Sequence, residues 1–168
     1  MGGVRCGDGT AAVIGAVGDT SAGTNSGSAY VFVRSHGVWT QQAKLSANDA
    51  GPEDKFGQSV AISDDTIIIG APSDTPNGTD SGSAYIYTRD GDTWTQQSKL
   101  VGDPLSVNSM FGWSVDIDGD TTAGGALNDE SSGLNSGAAY LFTRYREVRT
   151  EQANRRPLHT SHAAANTA

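Results

Sequence analysis

Cys6 is the only cysteine in the chain, so no intramolecular disulfide can form and sulfur says nothing about the redox compartment. Positive charge is also scarce. Eleven Lys and Arg face 19 Asp and Glu, for a net charge of −8 and a sequence pI near 4.6. The attraction to phosphate that drives non-specific nucleic-acid binding is missing, which removes nucleic acid from the expected partners. Long apolar runs are absent as well, and no stretch approaches membrane-spanning length. The opening MGGVRCGDGT lacks the basic and apolar regions of a signal peptide. The expectation from these absences is a soluble, untargeted chain with no membrane insertion.

What the chain does contain is glycine, 22 of its 168 residues, with many Ser, Thr and Asp and few helix-favouring runs. That length suits one ordinary domain, and the composition points to short strands joined by many turns, an all-β class. Charge is unevenly placed. Residues after Thr143 hold five basic and two acidic side chains, which leaves six basic and seventeen acidic in residues 1–143, a net of −11. The body is an acidic surface and the tail a basic one.

The sequence repeats itself at a spacing of 55. SGSAYVF, SGSAYIY and SGAAYLF begin at Ser26, Ser81 and Ser136; WTQQAKL and WTQQSKL begin at Trp39 and Trp94; FGQSVAI and FGWSVDI begin at Phe56 and Phe111. The offset reads as free of insertions or deletions. Three units follow, 1–55, 56–110 and 111–165, and a period of this size indicates a propeller or another repeat array. The middle unit reads as a four-stranded antiparallel meander, with strands over 57–62, 66–70, 83–89 and 93–100. Asp64-Asp65 makes a tight turn, 71–82 a long loop and 90–92 a hairpin turn.

A sheet with one wet face alternates apolar and polar residues. TIIIG and SAYIYTR do not, so both faces of the middle unit are expected to be covered, as in stacked blades. Gly57, Ser59, Gly70, Ala71, Gly82 and Ala84 suit crowded inner strands, with Tyr87 and Trp94 packing between blades. The outer units are worn. GVRC stands where the middle unit has QSVA, and in 148–155 Arg149 and Arg155 replace the Trp and Leu of TWTQQSKL. Two unpaired buried arginines would cost several kcal/mol each, so this last strand is expected to be frayed or absent. The division is therefore 1–147 as blades (1–55, 56–110, 111–147) and 148–168 as a degenerate strand and disordered basic tail.

At FGQSVAI, IIIGAP and SGSAYIY the sequence resembles the FG-GAP repeats of integrin α-chain propellers and of many microbial surface proteins. Phe56-Gly57 and Gly70-Ala71-Pro72 carry the namesake residues; the third unit has Phe111-Gly112 and Gly125-Ala126-Leu127, the first only Gly15-Ala16-Val17. The resemblance covers residues 11–147, and the WTQQxKL strand is similar to the microbial form. It implies β-propeller blades, adhesion or ligand binding without catalysis, a protein or carbohydrate ligand, and an extracellular or cell-surface setting. Three blades make an incomplete ring, since rings have about 4 to 8. A fragment of a longer array, a degraded gene or a protomer that completes its ring by association are the expected explanations, and open edges favour self-association.

Integrin blades also carry a DxDxDG-like calcium loop between their first two strands. Ser63-Asp64-Asp65 is too short to wrap an ion, and in Asp116-Ile117-Asp118-Gly119-Asp120 the last pair sits where a tight turn belongs. The long loop offers Asp74 and Asp80, with Asp19 and Asn25 in the first unit and Asn128 and Asn135 in the third. Asp and Asn dominate such loops for turn reasons alone. Calcium is thus the one cofactor weighed, and the expectation is none. Loops held on a rigid scaffold remain the expected binding surface.

Asn77-Gly78-Thr79 fits a glycosylation sequon and also a preferred turn. Arg89-Asp90-Gly91-Asp92 has the wrong order for an adhesive Arg-Gly-Asp. His36 lies in a turn, Cys6 in a worn strand, and His159 and His162 in the tail, so no nucleophile–base set can be placed. Aspartates that recur in every unit belong to the scaffold, whereas a paired-carboxylate site is built once. The expected protein is non-enzymatic, with no catalytic, cofactor or metal residues; the alternative is scaffold from a larger secreted enzyme, such as one acting on polysaccharide.

Overall fold

The computed structural model describes residues 4–6, 10–103, 105–144 and 158–159. Three four-stranded antiparallel sheets follow one another along the chain. The first holds β1 (Val4–Cys6), β2 (Ala11–Ala16), β3 (Ser28–Ser35) and β4 (Val38–Leu45). The middle sheet holds β5 (Ser59–Ser63), β6 (Thr66–Ala71), β7 (Ser83–Asp90) and β8 (Thr93–Leu100). The third holds β9 (Phe111–Asp118), β10 (Thr121–Ala126), β11 (Ala138–Thr143) and β12 (Leu158–His159). Each is a meander, and the described residues form no helix and no closed ring.

The turns follow from residues that tolerate positive φ. Asp64 (φ 49°) and Gly119 (φ 54°) open the two-residue turns after β5 and β9, and His36-Gly37 (φ 51° and 83°) closes β3 onto β4. The hairpin after β7 turns one residue later than expected. Asp90 pairs with Thr93, so Gly91-Asp92 is the turn pair.

Stacking decides the core. Ile67, Ile68 and Ile69 alternate between the two faces of β6, yet all are 0% exposed, so the middle sheet is covered on both sides. One cluster fills the seam between the first and middle sheets, from Val13, Val31 and Leu45 to Phe56, Ile69, Tyr85 and Trp94. A second fills the next seam, from Ala61, Ile68, Ile86 and Leu100 to Phe111, Val115, Tyr140 and Phe142. The inner strands approach backbone to backbone. A Cβ on Gly15 would lie 1.8 Å from the Gly57 carbonyl oxygen, and one on Gly70 would lie 2.0 Å from that of Gly112. Phe56 and Phe111 each donate their N–H across a seam, to the Ser26 and Ser81 carbonyls at 3.0 Å.

The register corrects one reading of the sequence. Val60 pairs with Ile69 and Val115 with Gly124, so a constant offset would place Arg5 opposite Ile14; instead Val4 takes that position and Arg5 pairs with Val13. The phase is broken by one residue before β2. At the other end, residues 148–155, where a worn strand was expected, lie outside the described residues, as does most of the tail. The place beside β11 is taken by Leu158 and His159, which pair with Leu141 and Tyr140.

Candidate functional site

Equivalent loops join the second and third strands of each sheet, over 17–27, 72–82 and 127–137, and therefore share one edge of the stack. Each opens on an aspartate. Asp74 accepts from the Thr75 N–H at 2.7 Å, the Tyr85 hydroxyl at 2.8 Å and the Ser83 hydroxyl, and pairs with Lys99. Asp19 accepts from the Ser21 N–H at 2.9 Å and the Tyr30 hydroxyl at 3.2 Å, and pairs with Lys44 at 2.8 Å. Asp129 accepts from the Ser131 N–H and the Tyr140 hydroxyl, both at 2.9 Å.

The third counterpart of Asp74 is thus Asp129, not Asn128. Asp129 is 1% exposed, while the Asn128 amide donates to the Met110 sulfur. A buried carboxylate is tolerated because its lone pairs are occupied. These aspartates tie each loop to the third strand of its own sheet through a tyrosine, and they are part of the scaffold. The tyrosines recur at 55-residue spacing (Tyr30, Tyr85, Tyr140), as do Lys44 and Lys99, so the signal was present in the sequence. Residue type hid it, because a carboxylate that accepts from tyrosine looks the same as one that holds an ion.

The second loop position has another purpose. Asn25, Asp80 and Asn135 adopt φ of 48°, 50° and 52°, a conformation that Asn and Asp tolerate best among residues with a Cβ. Asp120 forms an ion pair with Arg144, as Asp65 does with Arg89 in the middle sheet. Asp116 and Asp118 lie on β9, on the face of the third sheet turned away from the middle one. Among the described residues no group of three His, Cys, Asp or Glu is arranged to hold a metal ion. His36 sits in its turn beside the Ser35 hydroxyl, Cys6 and His159 lie at opposite ends of the stack, and His162 is outside the described residues. Asn77-Gly78-Thr79 is the rim of the middle loop, with Gly78 at φ 118°.

Electrostatics bind the first two sheets together. Lys99 sits between Asp49, which follows the first sheet, and Asp74. Burial lowers the Lys99 pKa, but its hydrogen bonds to Asp49 and Asp74 outweigh this and raise it. Burial likewise pushes Asp49 up, yet hydrogen bonds from Lys99 and Tyr85 hold it below the ordinary carboxylate value. Asp54 is raised, by burial first and then by the carboxylates of Asp74 and Asp49. Asp19 is held well below the usual range by Lys44 and Ser21. Burial raises the Tyr85 and Tyr140 hydroxyls, which stay protonated as donors.

A bulge completes the seam. β3 and β4 slip register between Val31 and Phe32, leaving Gln42 unpaired in the ladder. Its side chain accepts from the Trp94 indole N–H at 2.9 Å and donates to Asp92 at 2.9 Å, both on the next sheet. Exposed on the loop edge are, among others, Thr20, Ser21, Ala22 and Thr24, then Thr75, Pro76, Asn77 and Thr79, then Leu127, Glu130, Ser131, Ser132, Leu134, Asn135 and Ser136.

A family model described as FG-GAP repeat matches residues 7–32, 39–87 and 94–142. Each full match begins at the tryptophan of an outer strand and ends in the third strand of the next sheet, so the matched unit straddles a seam. No curated protein sequence matches the chain significantly.

Proposed function

The chain belongs to the FG-GAP repeat family, and on that premise we propose that it is a non-catalytic β-propeller repeat protein serving adhesion or ligand binding at the cell surface or outside the cell. The observation that carries this reading is the loop edge. Asp19, Asp74 and Asp129 hold three loops in one conformation, and the rims so presented are small, uncharged and rich in hydroxyls, apart from Leu127, Glu130 and Leu134. Rigid loops on a scaffold lose little entropy on binding, and hydroxyl and amide rims suit carbohydrate or polar protein surfaces. The ligand is bound there without a metal or other cofactor.

The test is binding of the full chain to arrayed glycans and extracellular-matrix proteins, beside a variant in which residues 75–79 and 130–134 are replaced by Gly-Ser sequence. A ligand retained by the wild type and lost by a variant of unchanged melting temperature supports the reading. Equal binding by both overturns the loop edge as the site, and release of reducing sugar from a bound polysaccharide overturns the non-catalytic reading.

A further inference from the structure

The middle loop carries an asparagine that its turn does not need. Each of the three equivalent loops turns on a glycine in the same place, Gly23, Gly78 and Gly133, at φ of 139°, 118° and 137°. The residue before it is Ala22 in the first loop, Asn77 in the middle one and Ser132 in the third. Alanine and serine make the same turn, so the turn accounts for Gly78 and leaves Asn77 unexplained. Asn77 is exposed, its backbone N–H donates to the Ser81 hydroxyl at 3.1 Å, and its side-chain amide makes no hydrogen bond among the described residues. The Gly78 N–H is held weakly. It reaches the Thr75 carbonyl at 3.5 Å, against 3.3 Å from Gly23 to Thr20 and 3.1 Å from Gly133 to Glu130.

We propose that Asn77 is a site of spontaneous covalent modification, at which the Gly78 backbone nitrogen displaces the side-chain amide and the asparagine ends as aspartate or isoaspartate. The Gly78 N–H gives its proton to solvent hydroxide, and the nitrogen attacks the Asn77 Cγ. A C–N bond forms in a five-membered imide, while Nδ2 of Asn77 takes up a proton and leaves as ammonia. Water then opens the ring at Cγ, giving aspartate, or at the backbone carbonyl, giving isoaspartate with the chain running through Cβ. The sum is one water consumed and one ammonia released, with no oxidant, reductant or enzyme. Glycine favours the attack because no Cβ shields its nitrogen and its backbone reaches conformations closed to other residues. The other described asparagines lack this partner. Asn25, Asn108 and Asn135 precede serines whose N–H groups are bonded at 3.1, 3.3 and 3.2 Å, and Asn48 and Asn128 precede aspartates.

The loop can take up the change. On one side it is pinned by Asp74, which accepts from Ser83 and Tyr85; on the other the Thr79 and Asp80 carbonyls accept from the Asn108 and Met110 N–H groups at 2.8 and 2.9 Å. The extra backbone atom of isoaspartate falls between these pins, and the new carboxylate stands on a rim of Thr75, Pro76 and Thr79. That this weakens binding of a polar ligand rests on the loop edge being the binding surface; the modification itself does not.

Peptide mapping of the full chain, stored at mildly alkaline pH and body temperature, tests the proposal without any ligand. Trypsin yields peptide 56–89, in which Asn77 is the sole asparagine. The expected result is a mass gain in that peptide equal to NH2 exchanged for OH, resolved into two chromatographic forms. The melting temperature of the chain and the peptides holding the other described asparagines stay unchanged. A peptide 56–89 that remains unmodified overturns the proposal, and so does equally fast conversion at Asn25 or Asn135. Asn77→Ala, which copies the first loop, should abolish the gain; a gain that survives it belongs to Gln58 and overturns the assignment. A chain that is modified at Asn77 yet binds no ligand at the loop edge upholds this proposal and sinks only the binding reading.

Discussion

The middle and third sheets are written in one pattern and meet different surroundings. Ala61, Ile68 and Ile86 of the middle sheet lie in a packed seam; Asp116, Ala123 and Leu141 hold the same positions on the third and face outward. Where a neighbouring sheet is present the position carries aliphatic bulk, and where the described residues supply none it carries a charge or a smaller side chain. Among the described residues, Asp116 and Asp118 make that outward face partly polar. The middle sheet is thus the unit whose sequence is constrained on both sides, which explains why its repeat is the most regular.

The comparison breaks most sharply at glycine. Gly70→Ala should drive a Cβ into the backbone oxygen of Gly112 and lower the melting temperature by ~10 °C, as a few kcal/mol would in a chain of this size. Gly125→Ala, at the same place on the third sheet, meets only the movable Ser114 hydroxyl and should cost under ~1 kcal/mol. Equal effects would show that the third sheet is as tightly covered as the middle one. Next in size, Ile68→Ala should cost about 2–5 kcal/mol by chemical denaturation, whereas Ala123→Ile, the reverse change on the outward face, should stay within ~0.5 kcal/mol.

A third pair compares the loop anchors. Tyr140→Phe removes a donor from the buried Asp129 and should cost about 1–3 kcal/mol. Tyr30→Phe acts on a less deeply buried partner, Asp19, whose side chain is 15% exposed, and should cost less than half of that, since water can replace the hydroxyl. A Tyr30→Phe cost as large as that of Tyr140→Phe would refute the proposed dependence on burial.

The smallest effect is in acid. Asp19 and Asp49 titrate below their unfolded values, so the stability they contribute is complete above about pH 4 and is lost as the pH falls. Asp54 is shifted the other way: its contribution is present in acid and lost as the pH rises through its raised folded value. Asp19→Asn should therefore flatten the acid limb of a melting-temperature profile, and Asp54→Asn should raise the melting point slightly at pH 7 and not at pH 3. A gain from Asp54→Asn that persists unchanged at pH 3 would assign it to packing instead.

Much of this fold was legible in the chain. The four strands of the middle sheet fall within one or two residues of where TIIIG, SAYIYTR and the turn pairs placed them, because alternation and turn chemistry are local properties. The covering of both faces was legible too, from strands that do not alternate. The roles of the loop aspartates were not. Asp74 and Asp80 stand six residues apart in one polar loop, and only the structure shows that one accepts from Tyr85 while the other sets a positive φ.

By itself, then, the sequence determined the 55-residue period, the meander within each period and the need for neighbours on both faces of the middle unit. All of these follow from side-chain type and spacing along a single stretch of chain. Tertiary structure decided what depends on residues meeting from different stretches. The one-residue slip of Val4 against Ile14, the seating of Gly70 on Gly112, the Asp–Tyr anchors and the faces left open are matters of pairing and packing, and no local pattern contains them.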